Sequence, residues 1–309
     1  MSADAHQVDS AEPGREGAGG VGRIDTSRAH PARVYDFFLG GKDNFAADRE
    51  AAKAALAAEP RGFLNVRHNR DFLRRAVTYL TAEAGIRQFL DVGTGLPTQE
   101  NVHQIAQRIA PESRVVYVDN DPVVLAHARA LLATGPEGRT DYIEYDLRAW
   151  EAILAEAART IDFDRPVALV LAAVLHFVPG EEAHAVTAGL LDALPSGSAL
   201  VLSHLTDDLN PVQIGNVAKA FKERGFAIVR RPRGEIGRFA TDNGLAIAEP
   251  GIVPVHRWRP TDLVDRAKVV ESDQAYVDGL EDVDRTKYRG IDDVTDADIN
   301  LYALVAHKP

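Results

Sequence analysis

The sequence predicts a doubly wound, mostly parallel α/β sheet, and three observations carry that prediction. An apolar run ends in an acidic residue and a glycine turn, a second run ends in an acidic turn at the spacing of a βαβ unit, and strand-like and helix-like segments alternate to about residue 229. The first run is Gln88-Phe-Leu-Asp-Val-Gly-Thr-Gly-Leu-Pro-Thr. Gly93 and Gly95 let the backbone turn sharply and let a ligand lie against it with no Cβ in the way. Where the GxGxxG fingerprint would place its third glycine, Thr98 stands after Pro97. That removes the close strand-to-helix packing and the pyrophosphate seat of a dinucleotide site. Asp91, just ahead of the glycines, points to a different adenosyl ligand, S-adenosylmethionine.

The second run, Ser113-Arg-Val-Val-Tyr-Val-Asp-Asn-Asp-Pro, is β-branched and closes on Asp119, Asn120, Asp121 and Pro122. Asp119 closes the strand, 24 residues after Gly95, and is the carboxylate placed to accept both ribose hydroxyls, with Asn120 beside it. Asp121 before Pro122 reads as the cap of the next helix. A third element, Thr140-Asp-Tyr-Ile-Glu-Tyr-Asp-Leu, alternates apolar and polar and ends in Asp146. There a carboxylate can accept from the exocyclic amine of adenine, and Leu147 can pack on the ring. The spacing alone also suits a nicotinamide oxidoreductase, and only the missing third glycine separates the two ligands.

Further along, Val167-Ala-Leu-Val-Leu, Ala199-Leu-Val-Leu-Ser and Phe226-Ala-Ile-Val read as strands, and Leu301-Tyr-Ala-Leu-Val-Ala as a final one. Ahead of the sheet, residues 25–84 read as an N-terminal helical cap. Its helices run from Pro31, from Asp48 to Ala58 and from Val66 to Ala82, parted by Gly40-Gly41 and Pro60-Arg-Gly. Residues 1–24 form a flexible tail rich in Gly and Ala, without the apolar core of a signal peptide. Residues 85–309 make the Rossmann-like domain, with an acidic insertion at about 261–299.

Composition narrows the function classes. The chain has 309 residues, 45% of them hydrophobic, enough for one large domain with additions. It has no cysteine, so disulfides, thiolate zinc sites and cysteine nucleophiles are excluded. A net charge of −11 disfavours nucleic acid, whose binding rests on clustered Lys and Arg. Two basic runs, Arg67 to Arg75 and Arg230 to Arg238, read as solvated faces. No apolar run approaches the ~20 residues that span a bilayer, so the expected protein is soluble and cytoplasmic. No His or Cys cluster has metal-ligand spacing, and no metal is expected.

Acceptor chemistry has fewer signals. Tyr35, Lys42 and Asn44 cluster around a Gly-Gly turn after an amphipathic helix. Tyr35 is a candidate catalytic group, and Lys42 and Asn44 are candidate substrate contacts. A P-loop is excluded by the missing Lys-Ser or Lys-Thr pair. Gly40 reads as a left-handed helix cap, with Asp43 or Asn44 capping the next helix. His176 follows the fourth strand, where an imidazole of ordinary pKa about 6.5 can take a proton from a hydroxyl or amine. A core histidine bonded to a carbonyl is the competing role. The Asn/Asp-Pro-Pro-Tyr/Phe motif of nucleic-acid and protein amine methylators is absent there.

From Ile24 to Pro260 the chain resembles the actinobacterial S-adenosylmethionine-dependent methyltransferase-like family DUF574. The resemblance rests on Pro31-Ala-Arg-Val-Tyr-Asp-Phe-Phe-Leu-Gly-Gly-Lys-Asp-Asn-Phe, Phe89-Leu-Asp-Val-Gly-Thr-Gly-Leu-Pro-Thr, Tyr117-Val-Asp-Asn-Asp-Pro, Val174-Leu-His-Phe-Val-Pro, Glu249-Pro-Gly-Ile-Val and Trp258-Arg-Pro. It implies a class I methyltransferase fold: a seven-stranded sheet whose last strand, at Leu301, runs antiparallel beside the sixth. It also implies a donor site at Asp91, Gly93, Gly95, Asp119 and Asp146, but no particular acceptor. The acidic stretch before the last strand is longer than the family pattern.

The expected activity is in-line transfer of an already activated methyl group to a small-molecule acceptor, for which alignment and water exclusion suffice and a general base is optional. A non-catalytic protein that binds S-adenosylmethionine or S-adenosylhomocysteine would keep the same donor residues, and an NAD-dependent oxidoreductase would share the spacing. An open cavity beside the donor, as opposed to one filled by the N-terminal layer, separates an enzyme from a sensor.

Overall fold

The computed structural model describes residues 24–97, 100–131, 137–260 and 294–309. Thr98, the tail through residue 23 and most of the acidic insertion, 261–293, lie outside them. Four strands pair in parallel: β1 (Gln88–Val92), β2 (Arg114–Asp119), β3 (Arg139–Glu144) and β4 (Ala168–Ala172), the last continued in parallel by β5 (Ala199–Leu205). Two short strands follow, β6 (Ala246–Ile247) and β7 (Val253–Pro254), before β8 (Leu301–His307). The order across the sheet is β3-β2-β1-β4-β5-β8-β6, with β7 also paired to β8. β8 runs antiparallel to β5 on one side and to β6 and β7 on the other. This is the class I methyltransferase arrangement, with its last strand inserted beside the sixth.

The sixth strand is not where periodicity places it. Phe226-Ala-Ile-Val pairs with no strand, because β6 and β7 occupy the outer edge of β8. The segment runs extended, with Val229 donating its amide to the His176 carbonyl and Arg231 to that of Leu205. Its apolar side chains pack on a neighbouring helix cluster.

Every residue of β1 is buried, as expected of a parallel strand covered on both faces. Leu90 and Val92 face one core, shared with α6 (Trp150–Ala157), α7 (Glu182–Asp192) and α9 (Arg233–Thr241). Phe89 faces the other, shared with α3 (Phe63–Ala82) and α4 (Val102–Ile109). Of the segment 25–84, then, α3 belongs to the layer on the sheet, through the buried stripe Phe72, Leu73, Ala76, Val77 and Leu80. α5 (Pro122–Leu131) packs beside β3. α1 (Pro31–Phe38) and α2 (Ala46–Ala58) build a third, smaller core with α8 (Pro211–Lys222), around Val34, Ala51, Ala55, Ile214, Val217 and Phe221.

Buried charges fix that small core over the sheet. Arg33 is 5% exposed, and its Nε lies 3.3 Å from Asp121 Oδ2 and 3.6 Å from Asp48 Oδ1. His30 Nδ1 reaches the same Asp121 oxygen at 3.1 Å. Asp121 also caps α5, accepting from the Val123 amide at 2.9 Å. One carboxylate thus ties the turn after β2 to α1. Gly40 leaves α1 with φ +81 and so acts as its left-handed cap. Asp43 and Asn44 do not cap α2; Phe45 occupies that position, and Asp48 accepts from its amide at 2.8 Å.

The two basic runs are not wholly solvated faces: Arg233 and Arg238 are exposed, but each run also buries one arginine. Arg75 is 4% exposed and donates to the carbonyls of Trp258 and Val255, both at 2.7 Å, and to Asp71. Arg231 is 1% exposed. In each case the sequence shows a charge run, while the helix or turn points one member inward to carbonyls that would otherwise be unpaired.

Candidate active site

The turn after β1 has two glycines with different reasons to be glycine. Both have positive φ, +75 at Gly93 and +68 at Gly95. A Cβ on Gly93 would come within 2.2 Å of Val174 Cγ2, so this position is set by close packing against the loop after β4. A Cβ on Gly95 would meet nothing within 4 Å, because the space above it is open. The amides of Gly93 and Thr94 donate to the Val118 carbonyl, locking the turn to β2.

Asp119 sits at the end of β2 and is 8% exposed. Its Oδ2 accepts from the Gly95 amide at 2.8 Å and its Oδ1 from the Asp121 amide at 3.0 Å. A carboxylate offers about four acceptor positions, so two backbone bonds leave capacity on both oxygens. Burial pushes its pKa up, against the lowering effect of the two amides. Asp91 is 5% exposed, and burial raises its carboxyl to about 7, opposed by Arg70 and by a 3.2 Å hydrogen bond from Thr94 Oγ1. Half-exposed Asp146 accepts from Asn120 Nδ2 at 3.2 Å and is clamped by the Arg148 guanidinium at 3.1 and 3.3 Å.

On the opposite side a polar chain runs inward. The Ala173 amide donates to Ser203 Oγ at 2.9 Å, which donates to Asn69 Oδ1 at 2.5 Å. Asn69 Nδ2 donates to Tyr35 Oη at 3.0 Å, and Tyr35 donates to the Val66 carbonyl at 3.2 Å. The Tyr35 proton is therefore committed, and burial raises its pKa further. Tyr35 lines the site, but as a positioned donor within this chain and not as a proton acceptor.

His176 follows β4 in a short 3-10 turn, Leu175–Phe177, and is 6% exposed. Burial, with His204 and Arg231 nearby, holds its pKa well below the ordinary value, so the ring is neutral. Among the described residues its Nδ1 has no hydrogen-bond partner. His204 is held to about 3 by burial, its Nδ1 2.7 Å from the Leu205 carbonyl and its Nε2 2.8 Å from Arg231 Nη1. That pattern suits a neutral ring donating from Nδ1 and accepting at Nε2. Arg231 also donates to the carbonyls of Leu175, Val178 and Gly180 at 3.2, 3.1 and 3.0 Å, and to Glu235 at 2.8 Å. It thereby fixes the loop that carries His176.

One cavity of about 260 Å³ brings together Asp91, Gly93, Gly95, Asp119, Asn120, Asp146, Leu147, Tyr35 and His176. Lys42 and Asn44 do not line it. Lys42 is exposed, and Asn44 is spent inside the turn, donating to Asp36 Oδ2 at 2.8 Å and to the Gly41 carbonyl at 3.0 Å. Their Gly-Gly turn serves the fold: a Cβ on Gly41 would overlap the Asp36 carboxylate. Sequence reasoning missed Arg70 and Asn69, which line the cavity from α3. The available signal was their place on one helix turn between the buried positions Val66 and Leu73. Among the described residues no group of three His, Asp or Glu side chains is arranged to hold a metal ion. No helix among them is long and apolar enough to cross a membrane.

A model of the S-adenosyl methyltransferase family matches residues 18–309. Among solved structures, the chain is similar to a DUF574 family protein from Streptomyces avermitilis, with 44% identity and a TM-score of 0.81 over 93% of this chain and 100% of that one. It is also similar to a candidate methyltransferase from Thermobifida fusca, with 36% identity and a TM-score of 0.76 over 92% of this chain and 96% of that one. No curated protein matches.

Proposed function

The chain belongs to the S-adenosyl methyltransferase family, and on that footing we propose that it is an enzyme transferring a methyl group in line to a small-molecule acceptor held in the cavity beside the donor. The family's cofactor is S-adenosylmethionine. The residues present suit it: open space over Gly95 where a side chain would intrude, and a buried carboxylate at Asp119 with acceptor capacity to spare. In this proposal Asp119, with Asn120, takes the ribose hydroxyls, Asp146 takes the adenine amine and Leu147 packs on the ring. Asp91 faces the ammonium of the methionine moiety and Arg70 its carboxylate.

The observation that carries the reading is that three acidic strand ends and the glycine turn open on one cavity that continues past α1 toward α8. α1 lines that space and does not fill it, which favours an enzyme over a sensor. When bound, the sulfonium supplies a methyl group that needs no further activation. The protein's share is to align the acceptor, exclude water and receive a proton. His176 is neutral and lines the cavity, so it is the group to take a proton from an acceptor that becomes strongly acidic as it is methylated. A depressed pKa makes it a poor base toward a resting alcohol but an adequate one toward that species.

The test is incubation with S-adenosylmethionine and a panel of small hydroxy and amino compounds, following S-adenosylhomocysteine by chromatography. Acceptor-dependent release, lost in Asp119→Ala, is the expected result. Tight donor binding with no release for any acceptor would favour the non-catalytic alternative.

A further inference from the structure

The cavity changes character along its length. Of its charged lining residues, Asp91, Asp119, Asp146 and Arg148 belong to the strand ends and Arg70 to α3, while Glu59 closes α2 and accepts from the Arg61 amide at 3.2 Å. The lining residues from α8 and from the extended segment 226–228 are all apolar: Ile214, Val217, Phe221, Phe226 and Ile228. Ile214, Val217 and Phe221 are core residues of the α1–α2–α8 cluster, and Phe226 and Ile228 pack against it. A continuous run of rings leads from the donor side to that wall. His176 and Phe177 have centroids 4.3 Å apart, Phe177 meets Phe226 edge-on at 6.3 Å, and Phe226 stacks on Phe221 at 4.6 Å.

We propose that this end of the cavity is an acceptor chamber for a planar, uncharged aromatic compound, its ring lodged against Phe177, Phe221 and Phe226 and its hydroxyl or amine directed to the His176 end. The proposal rests on the methyltransferase reading above and names the substrate class of the same site. Aromatic walls favour a ring by edge and face contacts that an alkyl chain does not make. A charged acceptor would lose its hydration against a wall that offers it no counter-charge. Tyr35, Asn69 and His176, which line the same cavity, suit a small polar substituent.

Equilibrium binding tests this without turnover. The protein is saturated with S-adenosylhomocysteine and titrated by fluorescence with 2-naphthol, and in parallel with 2-naphthoate and decan-1-ol. The proposal predicts saturable binding of 2-naphthol, at least about tenfold tighter than either comparator. Phe226→Ala weakens it by about tenfold, Phe226→Leu recovers part, and Val217→Asp abolishes it, while S-adenosylhomocysteine affinity is unchanged in all three. Bound S-adenosylhomocysteine with no 2-naphthol binding, or with equal affinity for the naphthoate or the alkanol, overturns the chamber assignment and leaves the donor site standing. Failure of S-adenosylhomocysteine itself to bind overturns the methyltransferase reading, and the chamber with it.

Discussion

The strand-end half of the cavity and the α1–α8 half are built by opposite strategies. The first spends buried charge: Asp91, Asp119 and the turn amides hold polar groups in place at a cost in burial, seen in the raised pKa values of both carboxyls. In the second, the walls from α8 and residues 226–228 carry no charge, and the buried charges Arg33, Asp48 and Asp121 join α1 and α2 to the turn after β2. A site that must recognise a polar, cationic ligand and an apolar partner side by side can keep the two apart in this way.

That contrast can be broken most forcefully at Arg231. Arg231→Met leaves three loop carbonyls and His204 without their donor, and stability is expected to fall by about 3–5 kcal/mol, measured by urea unfolding. A cost below about 1 kcal/mol would mean that water replaces the guanidinium and the loop is not held by it.

The glycine pair comes next. Gly93→Ala sets a methyl against Val174 at positive φ and is expected to cost about 2–4 kcal/mol. Gly95→Ala, with the same backbone conformation but open space, is expected to cost only about 1 kcal/mol while weakening donor binding. Equal thermal shifts for the two would remove the distinction between a packing glycine and a ligand glycine.

Burial of Asp91 makes stability depend on pH. Its folded carboxyl titrates near 7 against an ordinary 3.8, so between those values the folded state holds a proton that the unfolded chain has released. This contribution makes stability fall as pH rises across that window and remain low above it. Asp91→Asn is therefore expected to raise stability at pH 8 by roughly 1–3 kcal/mol while lowering donor affinity. His204 acts with the opposite sign: its pKa is held to about 3, so its contribution is lost as pH falls from 6.5 toward 3. The smallest effect is expected at Lys42, where Ala should change neither melting temperature nor ligand binding, within about 0.5 kcal/mol. A tenfold loss of binding there would place the Gly-Gly turn in the site after all.

The same division governs what was legible in the sequence. Asp91, Gly93, Gly95, Asp119 and Asp146 are each fixed by their own strand and turn, so local pattern finds them and the parallel sheet brings them together. The acceptor side depends on which elements meet across the fold. Phe226-Ala-Ile-Val has the composition of a strand, but the edge it would need is taken by β6 and β7. Arg231 and Arg75 sit in charge runs, and only three-dimensional packing turns one arginine of each inward. Asn44 looked like a substrate contact because a polar side chain beside Gly-Gly resembles a binding loop, whereas its amide is consumed by Asp36 and Gly41. Tyr35 lines the cavity, but its hydrogen bonds to Val66 and Asn69, which commit its hydroxyl, come from another helix and leave no trace in the local sequence.

We propose that the strand-end half is a donor site built around Asp119. Calorimetric titration with S-adenosylhomocysteine, with NAD in parallel, tests it on the wild-type protein and on Asp119→Ala. The expected result is one saturable site for S-adenosylhomocysteine, weakened by about a hundredfold in the variant, as follows from losing hydrogen bonds to a charged acceptor, and no response to NAD. Silence toward S-adenosylhomocysteine, undiminished binding in Asp119→Ala, or a preference for NAD would contradict it.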